Sequence, residues 1–490
     1  AYEILSGLVG SEMCIRDRFY INGSWVEPQI TNDFNVIDPS TEEPCAVISL
    51  GSEADTNKAV DAARSAFEGW MFTPKNDRLK LIENILEEYQ KRAEDMAKAI
   101  SLEMGAPIEM ARQQQVGTGL SHIKGFINVF KDFEFDQNLN DSTPNDKILY
   151  EPVGVCGLIT PWNWPMNQVT LKAIPALAAG CTMILKPSEV APLSSIVFSE
   201  IVHEAGCPAG VFNMVNGDGV GVGSQLSAHP DIDMISFTGS TRAGIAISKA
   251  AADTLKRVTL ELGGKGANLI FADANEKAVK NGVLRVMNNS GQSCNAPTRM
   301  IVEKSMYEKA VSIAAEAANS VKVSSGHETG RHIGPVVSKV QFDKIQNLID
   351  KGIEEGAKLV AGGPGRPEGL NRGYYVKPTV FADVTQDMTI YHEEIFGPVL
   401  SIMPFDSEDH AVELANDTNY GLTNYVQSED DAKRNRVARR LRSGMVEMNG
   451  LPRSSGSPFG GYKQSGNGRE GGIWGLEDFL EVKSVSGWSN

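Results

Sequence analysis

The chain has 490 residues, more than one ordinary domain at roughly 150 residues each. Its 41% hydrophobic and 22% charged content excludes wholesale disorder, a collagen helix or a coiled-coil rod. A net charge of −16, from 46 Lys and Arg against 62 Asp and Glu, argues against nucleic acid or an anionic membrane as the main partner. No apolar run reaches the roughly 18 residues of a membrane-spanning helix. The 6 Cys are scattered at positions 14, 45, 156, 181, 207 and 294, which is no disulfide framework, so a reducing cytoplasm is the expected compartment.

Residues 1–18 do not read as a secretory signal, because Glu3 replaces the basic start and the apolar stretch is short and broken. They are expected to be a non-native or disordered leader, a cloning or assembly scar, with a loosely held native tail as the alternative. The fold signal begins at Phe19. Leu79, Ile82, Leu86, Tyr89, Ala93, Met96 and Ile100 form one apolar stripe, which predicts a single long amphipathic helix over 77–100. The stretch 131–147 is too rich in Asn and Asp for a core element and reads as an arm. From 153 to 271 short apolar runs (153–160, 182–186, 211–215, 233–238 and 268–271) alternate with helical stretches such as 192–205 and 241–255. That rhythm predicts a mainly parallel sheet with helices on both faces. A second α/β pattern follows from about 275 to 450, and 480–485 reads as a last strand.

Some attractive signals fail. The glycines at 217, 219, 221 and 223 break the spacing of a dinucleotide loop and read as a plain turn. In Gly263-Gly264-Lys265 the next residue is Gly266, where a phosphate-binding loop needs Ser or Thr. No C-x-x-C or H-E-x-x-H is present, so no metal is expected.

Three peptides carry chemistry. Ile159-Thr160-Pro161-Trp162-Asn163-Trp164-Pro165 falls at the C-terminal end of the first apolar strand, where open α/β sheets bind ligands. The others are Leu260-Glu261-Leu262-Gly263-Gly264-Lys265 and Gly291-Gln292-Ser293-Cys294. Cys45, Cys156, Cys181 and Cys207 read as buried hydrophobes, whereas Cys294 sits in a polar loop where a thiol can meet a substrate.

With PWNWP, LKPSE, FTGSTRAG, LELGGK, GQSC, EEIFGPV and SPFGGYKQSG in this order, the chain resembles the NAD(P)-dependent aldehyde dehydrogenase superfamily from about Phe19 to Val485. The resemblance implies an α/β fold of three parts. A Rossmann-like nucleotide-binding domain is expected over 19–130 and 152–260, an α/β catalytic domain over 261–450, and a small β oligomerisation arm over 131–151 and 470–490. It implies oxidation of a small-molecule aldehyde to the acid with NAD, NADP being an alternative, in a homodimer or homotetramer. Cys294 is then the nucleophile, Asn163 and the Cys294 N–H hold the oxyanion, and Glu261 is the base for the hydrolytic water. Lys172 and Glu470 match positions of a proton relay, or form a buried structural pair.

For the cofactor, the resemblance points to Ile159, Thr160, Pro161 and Trp162, and to Lys186, Ser188 and Glu189, with Lys186 and Glu189 on the adenosine ribose. It also points to Phe237, Thr238, Gly239, Ser240 and Gly244 at a strand end opening a helix, to Leu262 and Gly263, and to Glu394 and Phe396 at the nicotinamide end. On pattern alone, Gly239 reads as just a helix-start turn. Trp164, Leu171, Arg453 and Phe459 fall on the substrate pocket. Leu171 stands where some relatives carry Trp, implying a roomier tunnel, and Arg453 could pair with the far carboxylate of a semialdehyde acid or point to solvent. Rival readings are a CoA-acylating relative, a protein that kept the fold and lost the chemistry, and a phosphorylating dehydrogenase. The identity of the aldehyde stays open.

Overall fold

The computed structural model describes residues 14–489. Two large sheets organise it. The first has eight strands in the order Gly466–Asn467, Arg257–Glu261, Met234–Thr238, Val155–Ile159, Thr182–Lys186, Phe212–Met214, Phe19–Ile21 and Ser24–Val26. Its five central strands are parallel and its outer pairings antiparallel. Val155–Ile159, Thr182–Lys186 and Met234–Thr238 are buried at every residue, because helices cover both faces. The chain steps from Val155–Ile159 to Thr182–Lys186 on one side and later lays Met234–Thr238 on the other. This topological switch opens a crevice beyond the strand ends.

The second sheet has seven strands in the order Lys358–Ala361, Thr379–Ala382, Val399–Phe405, Arg299–Glu303, Ala267–Ile270, Thr423–Gln427 and Met445–Met448, parallel except for the first pair. Each large sheet carries an apolar core on each face. A separate antiparallel sheet joins Leu480–Ser486, Asp146–Pro152 and Asp136–Asn138. The Asn- and Asp-rich stretch is therefore an extended arm bound to the last strand. Residues 470–479 do not belong to that sheet: the helix Gly472–Glu477 packs instead on Pro165–Ala179.

Three expectations need correcting. The stripe over 77–100 is not one helix. Lys75–Lys91 ends at Arg92 (φ −97°, ψ 11°), whose guanidinium is held by Asp95 and Glu200 at 2.8 Å each, and a second helix runs Ala93–Met104. The glycines at 217–223 form no plain turn but a tight helical turn, Gly219–Gly223, capped by Asp218, which accepts the Gly221 N–H. Of the leader, residues 1–13 lie outside the described residues. Cys14–Arg16 pairs in parallel with Glu43–Ser49, so the chain joins the fold before Phe19.

Buried Glu103, near the end of the helix Ala93–Met104, fixes the start of the helix Leu193–Glu204 by accepting the backbone N–H groups of Leu193 and Ser194. Burial pushes its carboxyl from 4.5 up to about 7. The folded state thus holds that proton more tightly than the unfolded chain. The stabilisation is fully present below about 4.5 and is lost as pH rises through about 7. Glu103→Gln keeps the acceptor and removes the titration. The melting temperature of the variant minus that of the wild type should therefore grow from pH 5 to pH 8, and a flat difference would contradict this. Glu103→Ala leaves two N–H groups unpaired and should cost about 1–3 kcal/mol across the range.

Candidate active site

The strand Val155–Ile159 ends at the PWNWP loop, and Pro165 opens the helix Pro165–Ala179 at its first position, where a missing N–H costs nothing. The loop is bolted to the turn that carries Cys294. The carbonyl of Asn163 accepts from Gln115 Nε2 (3.1 Å) and Asn289 Nδ2 (2.9 Å), while Asn163 Nδ2 donates to the carbonyl of Gln292 (3.0 Å). Trp164 Nε1 donates to Ser293 Oγ (2.8 Å). The turn itself winds through three successive left-handed residues, Asn289, Ser290 and Gly291 (φ 52°, 55° and 74°). The third peptide lies against the same point, since a Cβ on Gly264 would stand 2.3 Å from the Cys294 carbonyl oxygen.

Glu261 ends the strand Arg257–Glu261 and is buried, with neither carboxylate oxygen hydrogen-bonded among the described residues. Burial first, then Glu470, pushes its carboxyl well above the usual carboxylate range. Lys172 and Glu470 form a buried ion pair, and Lys172 Nζ also donates to Thr238 Oγ1 (2.7 Å). Burial and the carboxylates of Glu394, Glu261 and Glu470 push the Cys294 thiol up to about 12. It rests as a thiol and reacts only when its proton is removed.

Cys294 lies where two cavities meet. One, of about 220 Å³, is lined by Pro161, Trp162, Thr238, Ser240, Glu261 and Glu394, among others. The other, of about 330 Å³, is walled by Trp164, Leu171, Phe459, Arg453, His122 and Glu470, among others.

The model of the aldehyde dehydrogenase family matches residues 25–485. The chain belongs to the aldehyde dehydrogenase family. It is 50% identical over 472 residues to the 3-succinoylsemialdehyde-pyridine dehydrogenase of a Pseudomonas species, covering 96% of this chain and 98% of that one. The crystal structure of an aldehyde dehydrogenase from Bartonella henselae superposes with a TM-score of 0.96 at 61% identity, over 97% of this chain and 100% of that one. A mutant of aldehyde dehydrogenase C from Pseudomonas syringae, solved with NAD+ and octanal, gives 0.95 at 47% identity, over 96% and 97%.

Not every residue singled out in this aldehyde dehydrogenase chain lines a cavity with Cys294. Ile159, Lys186 and Phe237 stand on neighbouring strands of the switch, and Thr160 N–H donates to the Lys186 carbonyl (3.1 Å). Lys186 pairs with Glu189 at 3.4 Å beside buried Ser188, away from the thiol cavity. Gly239 needs its small size for a local reason, because a Cβ would stand 2.4 Å from the Phe237 ring. Ser240 caps the helix Thr241–Ala251 by accepting the Ala243 N–H, and a Cβ on Gly244 would stand 2.8 Å from Leu262. Arg453 does not point away to solvent; it lines the second cavity.

Four residues escaped the sequence reading. Gln115 and Asn289 anchor the Asn163 loop. Gln341 Nε2 donates to the carbonyl of Phe396 (2.7 Å), holding that residue at φ 59°, and Lys344 Nζ donates to the carbonyl of Glu394 (2.8 Å). Each acts across more than 45 positions, and only the residues they hold, Asn163, Phe396 and Glu394, carried a motif.

Gly291 tests the turn. Its φ is +74° and a Cβ would land 1.9 Å from the Gly397 carbonyl oxygen. Gly291→Ala should therefore move Cys294 and lower kcat by about a hundredfold, the scale of a 1 Å misplacement. Gly206 also has positive φ but open space around it, so Gly206→Ala should leave kcat unchanged. Equal kcat values in the two variants would show that the turn is not what places the thiol.

Proposed function

We propose that this chain oxidises an aldehyde to the carboxylic acid with NAD+, through a covalent intermediate on Cys294. The observation that carries the reading is the place of the thiol, where one cavity suited to a nucleotide meets another suited to a substrate, with an unpartnered buried carboxylate, Glu261, lining the first.

The first cavity suits the nicotinamide end of a dinucleotide, whose adenosine end would lie outside it, over the strand ends near Lys186 and Glu189. It opens beyond the strand ends at the switch point and beside the start of the helix Thr241–Ala251. Glu394 is fixed by the Gly264 N–H (2.7 Å), and a Cβ on Gly263 would stand 2.6 Å from its carboxylate. Trp162 and Phe396 meet edge to face at 5.4 Å. Trp162, Gly239 and Ser240 would hold the pyrophosphate stretch, Lys186 and Glu189 the adenosine ribose, and Gly263, Glu394 and Phe396 the nicotinamide end. The cofactor, when bound, supplies a hydride acceptor.

Cys294 Sγ releases its proton to solvent and attacks the carbonyl carbon as the thiolate, and the oxygen that takes up the charge is met by Asn163 Nδ2 and the Cys294 N–H. Anchored to the Gln292 carbonyl through one hydrogen, Asn163 Nδ2 keeps its second free to donate. After oxidation the acyl group remains on sulfur as a thioester. Glu261 then takes a proton from water, which attacks the acyl carbon, and the thiol leaves. Its raised pKa suits a base that must accept a proton near neutrality. The Lys172–Glu470 pair keeps Glu470 engaged, so the unpartnered carboxylate is Glu261. In the same reading the first sheet belongs to the nucleotide-binding domain and the second to the catalytic domain. The arm sheet pairs copies into a homodimer or homotetramer, because Leu480–Ser486 is an exposed edge strand.

Adding aldehyde and NAD+ to the wild type should produce NADH without CoA or phosphate, and Cys294→Ala should produce none. Turnover by that variant would overturn the mechanism, and a requirement for CoA would move the chain to the acylating branch. Glu261→Gln should release at most about one equivalent of NADH per site and then run about 10²- to 10⁴-fold slower. The wild-type rate should fall as acid protonates Glu261, in a limb lying above the ordinary carboxylate range, and the variant should lose that limb.

Glu189 should make NAD+ the preferred cofactor, since its carboxylate accepts from a ribose hydroxyl and repels a 2′-phosphate. A kcat/KM for NADP+ at or above that for NAD+ would refute this.

A further inference from the structure

Glu447 lies buried between two guanidinium groups. Arg285 Nη2 reaches its Oε2 at 2.5 Å and Arg453 Nε its Oε1 at 3.4 Å. One carboxylate between two cations leaves a net charge of +1, and the structure decides where that charge is offered. The Arg285 guanidinium lies over the Tyr425 ring at 4.6 Å and lines a different cavity. The Arg453 guanidinium lies over the Phe459 ring at 4.7 Å and lines the same cavity as Cys294. Its Nε is buried without a hydrogen bond, and its two terminal nitrogens carry none among the described residues.

The rest of that wall brings no neutralising charge. Its other charged member, Glu470, is already paired with Lys172. His122, engaged with Asn167 Oδ1 at 2.7 Å, brings no negative charge in any protonation state. Packing against Phe459 fixes the plane of the Arg453 guanidinium, so little freedom remains to be lost when a ligand docks. A planar fork with unused donors in a partly desolvated tunnel matches a carboxylate, which can accept two parallel hydrogen bonds from it.

We infer that Arg453 makes the substrate tunnel select aldehydes that carry a carboxylate at the far end from the reacting carbonyl. The inference rests on the aldehyde oxidation proposed above and names its substrate class. Glu447 then serves as a positioning residue. It holds the Arg453 stem in place, and because it is shared with Arg285 it does not cancel the charge.

The test compares three substrates of matched chain length: an ω-carboxy aldehyde, its methyl ester and the n-alkanal. The ester keeps acceptor oxygens and removes the charge. In the wild type, kcat/KM for the acid should exceed that for the ester and the alkanal by about tenfold to a hundredfold, the range of a charge-assisted contact. Arg453→Met should bring kcat/KM for the acid down to that of the ester and the alkanal measured in the same variant, and Arg453→Lys should keep part of the preference. A wild type that does not prefer the acid overturns the inference whatever the variants do, and so does a preference that survives Arg453→Met. If the alkanal is oxidised and the acid is not favoured, only this inference fails. If none of the three yields NADH, the aldehyde oxidation itself fails.

Discussion

The carbonyl and side chain of one residue, Asn163, set the geometry on which the site depends. Its carbonyl accepts from Gln115 and Asn289, and its amide nitrogen donates to Gln292. Each bond alone adds only about 0.5–1.5 kcal/mol of net stability. Their joint effect is on position, because Asn289 and Gln292 tie a loop at the end of a first-sheet strand to the turn carrying Cys294 and Gln115 ties the same loop to the helical turn Ala111–Val116. The left-handed run at Asn289, Ser290 and Gly291 needs such a lock, as a non-glycine residue at positive φ persists only where its surroundings impose it.

Around that fixed thiol stand three carboxylates, and their partners separate their roles. Glu394 receives the Gly264 N–H and Glu470 the Lys172 ammonium, while Glu261 has neither among the described residues. Burial therefore acts on Glu261 with the least compensation and pushes its carboxyl well up. The same burial, reinforced by the surrounding negative charge, raises the thiol. An environment that disfavours charge on both groups leaves little unpaired charge to solvate.

The central strands were legible in the sequence because a parallel sheet buried on both faces writes itself as short continuous apolar runs. Thr182–Lys186 falls on the expected residues, and Val155–Ile159 and Met234–Thr238 fall within the expected runs. Cys294 stood out because a thiol beside Gly and Gln in a polar loop is poorly explained as core. What the pattern missed was set by distant partners. The guanidinium at the Arg92 break is held by Glu200, more than a hundred positions away, and a stripe of apolar residues is blind to it. Gln341 and Lys344 were unreadable as site residues because a polar side chain on an amphipathic helix looks the same whether it meets water or another residue's carbonyl. Arg453 was visible as a charge in a glycine- and serine-rich loop, but Glu447 and Phe459 are what turn it toward the tunnel.

The two sheets are joined where the chemistry lies. Glu261 ends a strand of the first sheet, and Ala267 begins a strand of the second only a few residues later. The segment between them is pinned from both sides. Lys265 Nζ donates to the Glu393 carbonyl (2.7 Å), and the Lys265 carbonyl accepts from Arg299 Nε (3.0 Å). Arg299 is fully buried and uses its remaining ends on the Leu414 and Ala415 carbonyls. Next to it, Lys265 is brought down to about 7 by burial and by the guanidinium, so this joint is held largely by hydrogen bonds to carbonyls and little by opposed charges. Such a joint transmits position with small dependence on salt, because its partners are neutral and shielded from water. The glycines at 263, 264 and 266 let the joint pass close to Glu394, Cys294 and Thr423, where a Cβ on any of them would stand 2.7 Å or less from a neighbouring oxygen. A base presented by one sheet and a nucleophile held against the other therefore keep their separation through the stiffness of a five-residue link, and the cleft between the sheets remains open on either side for two different ligands to reach one sulfur atom.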